Sequence, residues 1–107
     1  MSKLSIVSRG NGRWLIHGEL TFASLHHNKL IDSPPFLRAG KDVILDFSQV
    51  TNTDSAGLAL MIEWVKLTRH QRIQLHFKNV PKQLLNLAKL SGLDKTHYFS
   101  LKLKNPI

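Results

Sequence analysis

The chain has 107 residues, 42% of them hydrophobic, a formal net charge of +8 and no cysteine. That length buries one core and not two, and no stretch reaches the roughly 18 uninterrupted apolar residues of a membrane span. Without cysteine there is neither a disulfide nor a thiolate metal site, and a reducing compartment, by default the cytoplasm, is expected.

The start, Met1-Ser2-Lys3-Leu4, leads into a strand-like pattern and lacks the apolar core of a signal peptide. Leu4–Ser8 reads as a first strand, Asn11-Gly12 as a two-residue hairpin turn, and Trp14–Leu20 as the returning strand. Gly18 marks a bulge or strand end within it. Thr21 is a helix cap, followed by helical spacing at Phe22, Leu25 and Leu30 until Asp32-Ser33-Pro34-Pro35 stops it. Phe36–Lys41 bridges to a central strand, Asp42–Phe47.

A polar turn, Ser48–Thr53, is expected next, then a helix from about Ser55 to Arg69 with Ala56, Ala59, Leu60, Ile62, Trp64, Val65 and Leu67 on a broad apolar face. Arg69, His70 and Arg72 place cations where the helix dipole favours them. Ile73–Phe77 alternates as a half-buried strand. Pro81–Leu90 forms another helix, stopped by Ser91-Gly92. Tyr98–Leu103 alternates as a last edge strand, ended by Asn105-Pro106. Strands separated by helices pair in parallel through crossovers. The fold class is therefore α/β, a single domain over residues 1–107 with a mixed, mostly parallel sheet and helices packed mainly on one face.

Fifteen basic residues face seven acidic ones. They are spread along the whole chain, with Lys102 and Lys104 as one small cluster, and no nucleic-acid reading motif accompanies them. The charge thus describes a solvated basic surface, and no nucleic-acid partner is expected. Catalysis needs an acid–base pair, an activated nucleophile or a metal cluster. Of the six histidines only His26 and His27 are close, and adjacent residues do not share a helical face. His17 and His76 fall in strands. No metal-binding or phosphate-cradling motif exists. Neither an enzyme, nor a metal, nor a cofactor is expected.

The remaining point of interest is Thr53-Asp54-Ser55-Ala56-Gly57. Any of the first three side chains can cap the helix, a contribution of about 1 kcal/mol. A cap needs one polar residue, however, and Thr51 to Ser55 supplies five. Gly57 in the first turn costs roughly 1 kcal/mol of helix propensity against alanine, a cost usually offset by close approach of a strand or of a partner. A phosphate on Ser55 would sit favourably on the helix N-terminus, opposed by Asp54. This arrangement suits a docking rim or a switch better than a catalytic centre.

In Gly18-Glu19-Leu20-Thr21, Val43–Ser48 and Thr53–Leu58 the chain resembles the STAS domain family over nearly its whole length. Anti-sigma-factor antagonists of that family carry Asp-Ser at this turn and are phosphorylated on the serine by a partner kinase. Ser55 stands at that position. A second branch, the accessory subunit of the Mla phospholipid-transport ABC complex, is similar in detail. The stretches Thr53–Leu60, Gly18–Ala23 and Leu87–Leu93 look like it. That resemblance implies a non-enzymatic subunit peripheral to the inner membrane. Its residues Thr53, Asp54, Ser55, Ala56 and Gly57 would meet the ATPase. The alternative implied is an antagonist switched by an anti-sigma-factor kinase at Ser55.

Overall fold

The computed structural model describes residues 4–26, 28–38 and 40–102. Strands β1 (Ser5–Gly10) and β2 (Arg13–Leu20) form an antiparallel hairpin. Its turn residues Asn11 and Gly12 have φ of 55° and 78°, as a two-residue turn matching the strand twist demands. Gly12 is packed against the Asp42 carbonyl, where no Cβ would fit. Its own carbonyl accepts the Ile44 N–H at 2.8 Å. That contact sets the register of Arg13 opposite Ile44 in the next strand.

Helix α1 (Phe22–Leu25) follows, then β3 (Asp42–Thr53), α2 (Ser55–His70), β4 (Gln74–Lys78) and α3 (Lys82–Ser91). The sheet order is β1-β2-β3-β4, with β2, β3 and β4 parallel. Val43, Leu45 and Phe47 of β3 are buried, while Ile44 and Asp46 between them are partly exposed. The helices cover the first face only. Trp64, Met61 and Leu60 of α2, with Leu84 and Ala88 of α3, complete the core. Phe36, fully buried, stands edge-on to Trp64 with ring centroids 5.3 Å apart and also contacts Trp14 at 6.5 Å. Such edge-to-face pairs add to what burial alone contributes. The mixed, mostly parallel one-sided sheet is the architecture expected from the sequence.

Three elements differ from expectation. The segment Ser48–Thr53 is strand, not turn: β2 continues to pair with it through Thr53, whereas β4 stops at Asp46 opposite Lys78. Its polar character reflects the exposure of most of its side chains. The first helix ends at Leu25, because the Asn28 side chain accepts the Leu30 N–H at 2.8 Å and turns the backbone locally instead. The expected last strand is absent. His97–Lys102 forms a 3-10 helix that turns the adjacent Tyr98 and Phe99 both against Phe77, at 6.3 and 5.2 Å. A strand would have sent those neighbours to opposite faces. Leu103, like the Asn105-Pro106 stop, Lys104 and His27 of the histidine pair, lies outside the described residues.

Two local features position the working surfaces. Gly57 is buried where α2 crosses the end of β2: a Cβ there would lie 3.0 Å from the Leu20 carbonyl oxygen and 3.0 Å from Leu84 Cδ2. The close approach that the glycine permits is to the protein's own strand. Between Leu15 and His17, β2 shifts register from Asp46 to Gln49, leaving an extra residue bulged on β3. There the Ser48 N–H donates to Asp46 Oδ1 at 2.9 Å, and Asn79 Nδ2 donates to the same oxygen at 3.0 Å. Partial burial pushes the Asp46 carboxyl up. The hydrogen bonds from Asn79 and Ser48, with the nearby Lys78 charge, outweigh it and hold the group below the ordinary aspartate value.

Gly57→Ala should therefore lose about 1 kcal/mol net in urea unfolding, because overpacking against a backbone carbonyl exceeds the gain in helix propensity. A variant as stable as the parent would show that the crossing can relax. Asp46 contributes stability above the unfolded-chain pKa that disappears as pH falls through its lower folded value. The stability difference between the parent and Asp46→Asn should thus shrink from neutral pH to about pH 3. A difference that stays constant over that range contradicts the linkage.

Candidate functional site

Asp54 is the N-cap of α2, in extended conformation. Its Oδ1 accepts the Ala56 N–H at 2.8 Å, satisfying one donor of the first turn. Its Oδ2 accepts the Phe22 N–H at 3.1 Å, the first amide of α1. One carboxylate therefore joins the N-termini of two helices that are 32 residues apart in sequence. The Asp54 N–H in turn donates to the Leu20 carbonyl at 3.2 Å, fixing the exit from β2.

The five rim residues divide into two groups. Thr53 and Gly57 are buried. The Thr53 hydroxyl donates to Gln83 Oε1 at 3.2 Å and so ties the end of β3 to α3. Asp54 and Ala56 are half-buried, and Ser55 is exposed as the first residue of α2. Among the described residues, no hydrogen bond restrains the Ser55 side chain. Ser55 and Ala56 are the members of the set that a partner can touch without displacing structure.

Beside them lies a surface that the sequence pattern does not single out. A groove of about 540 Å³ runs between α1 and α2, floored by Leu25, Ala56, Ala59 and Leu60 and walled by Phe22 and Ile31. Phe22 is 69% exposed. It is held up on a four-residue helix by the Thr21–Ser24 capping box, with Thr21 Oγ1 accepting from Ser24 N–H and Ser24 Oγ accepting from Thr21 N–H. Asp32, Glu63 and His26 edge the groove. The signal was present in the breadth of the apolar face of α2. The sheet covers Leu60, Met61, Trp64 and Val65 but leaves Ala59 exposed, so the small residues Ala56 and Ala59 are surplus to the core and form a floor.

An exposed apolar concavity beside a hydroxyl-bearing helix start can bind another chain. Among the described residues, no three His, Cys, Asp or Glu side chains come together as a metal site. His17, His70 and His97 are exposed and scattered over β2, the end of α2 and the 3-10 helix. No helix of the described residues is long and apolar enough to cross a membrane.

None of the curated proteins matches the chain. The family model described as Mlab, STAS domain, matches residues 15–103, from the second strand through the last described helix. The chain belongs to the STAS domain family and is MlaB-like within it.

Proposed function

We propose that this domain is a non-enzymatic accessory subunit of an ABC phospholipid-transport system of the Mla type, which maintains outer-membrane lipid asymmetry. On this reading it acts in the cytoplasm at the inner face of the inner membrane, held there by the ATPase that it binds and supports. The observation that carries the reading is the exposed Ser55 immediately before Ala56, which lines the apolar groove with Phe22. The MlaB-like family match supports it.

The physical logic is that of an anchored interface. An exposed aromatic side chain beside small floor residues gives a partner a place to bury an apolar anchor, and such central contacts carry most binding energy. Asp32 and Glu63 at the edge are two of only seven acidic residues on a chain of charge +8. They favour a partner segment with basic residues flanking its anchor, which adds selectivity more than affinity. Ser55 is the chain neighbour of Ala56, which lines the groove. A large side chain there would meet the partner, whereas the exposed position lets the fold accommodate it.

A second reading has its own observation: the Ser55 hydroxyl is exposed and unrestrained at the helix N-terminus, where an anion is stabilised. In that reading the domain is an anti-sigma-factor antagonist switched by a serine kinase. Asp54, whose carboxylate already occupies that N-terminus, opposes the phosphate.

Co-purification with the cognate ATPase separates the two. Ser55→Arg and Phe22→Ala, both at exposed positions, should leave the thermal unfolding midpoint within a few degrees and weaken capture at least about tenfold. Unchanged binding by Ser55→Arg would mean that the interface lies elsewhere. For the antagonist reading, incubation with an anti-sigma kinase and ATP should add one phosphate to Ser55 by mass spectrometry, and no modification by any such kinase would remove it.

A further inference from the structure

The sheet face turned away from the helices carries a second concavity, formed, apart from Trp14, by residues that neither the core nor the groove uses. Cross-strand pairing places Leu15, Asp46 and Lys78 in one row and Arg13, Ile44 and His76 in the next, all on this face. A hollow of about 280 Å³ lies over these rows. Its apolar floor is Leu15 and Ile44, both half-buried. Arg9, Arg13 and Lys78, from three different strands and all exposed, stand around it.

The bulge in β3 shapes this hollow. Because the register slips between Leu15 and His17, Ser48 drops out of the regular ladder and Gln49 pairs one position late, and both add polar side chains to the wall. Bulges commonly redirect side chains in this way beside sites. Asp46 stands among the three cations, its Oδ1 already engaged by the Ser48 N–H and Asn79 Nδ2. The carboxylate remains charged at neutral pH because those bonds and Lys78 outweigh its partial burial.

Three cations and one fixed carboxylate select a particular kind of ligand. A bare anion would neutralise the cations but face Asp46, and a bare cation would face all three basic groups. A molecule with a phosphate and a neighbouring donor satisfies both. Arginine forks bind phosphate oxygens in pairs, and a carboxylate accepts from a hydroxyl or an ammonium group. We propose that this hollow binds a phosphate ester bearing a hydroxyl or amino group close to the phosphate, with Arg9, Arg13 and Lys78 holding the phosphate and Asp46 the donor. The floor of Leu15 and Ile44 takes the short carbon segment between them. This site is on the opposite face from Ser55 and stands whether or not the ATPase reading does.

Two probes identify the source of the ester. O-phosphoethanolamine titrated into the labelled domain should shift the backbone amides of Arg13, Leu15, Asp46 and Ser48 saturably, in about the millimolar range. Vesicles of phosphatidylethanolamine and phosphatidylglycerol should sediment with the domain only if the ester is a lipid headgroup. Arg13→Ser combined with Lys78→Ser should weaken whichever binding is seen at least about tenfold, with an unchanged circular dichroism melt. The charge-matched control Lys66→Ser with Arg69→Ser, on α2, should not weaken it. Asp46→Asn, confirmed folded, should erase the preference for phosphoethanolamine over inorganic phosphate. Binding to neither probe, or equal weakening by the control pair, overturns the proposal.

Discussion

The carboxylate of Asp54 is the joint on which the helical side of this domain turns. It accepts the Phe22 amide that opens α1 and the Ala56 amide in the first turn of α2 at once, while its own N–H is held by the end of β2. Gly57 one turn further on lets α2 sit directly on that strand end. Together they fix the angle at which α2 leaves the sheet. The place of Ser55, the depth of the groove and the height of Phe22 all follow from that angle. Asp54 builds the surface around Ser55.

The one-sided sheet gives the molecule two unlike faces. On the helix side, surplus apolar width of α2 becomes a groove with an acidic edge. On the bare side, alternation along β2 and β3 brings polar and cationic side chains into rows, and a bulge makes a hollow of them. The basic excess looked diffuse along the sequence because its members on this face come from three strands. Only pairing shows Lys78 directly beside Asp46 and Arg13 in the adjacent row, beside Ile44.

The sequence made the hairpin, the central strand and the two long helices legible through strong local signals: Asn11-Gly12, the apolar run Val43–Phe47, and Gly92 with its left-handed φ of 78° at the end of α3. It misled where pairing overrode composition. Ser48–Thr53 is polar because most of its side chains are exposed, and reads as a turn for the same reason. Tyr98–Leu103 alternates in hydrophobicity, yet two adjacent aromatic rings found the same side of Phe77. At the candidate site, Thr53–Gly57 stood out in the sequence through the excess of polar residues and the glycine in the first helical turn. The division of labour within it did not, since Asp54 meets Phe22 and Thr53 meets Gln83 only through the fold. Phe22 itself gave little sign, because nothing local says that a phenylalanine in a four-residue helix stays exposed.

The brevity of α1 has a thermodynamic consequence. A single turn cannot sustain itself in water, since nucleation costs more than one or two backbone hydrogen bonds return. Its order is supplied from outside, by the capping box and by Asp54. The wall of the groove is therefore the least independently stable part of the helical face, able to open while the sheet stays intact. A partner docked beside Phe22, as proposed above, would select the ordered form of that turn, and its apparent affinity would carry the fraction of molecules in which the turn is already formed. A change at Asp54, which need touch no partner at all, would reach the interface through that fraction.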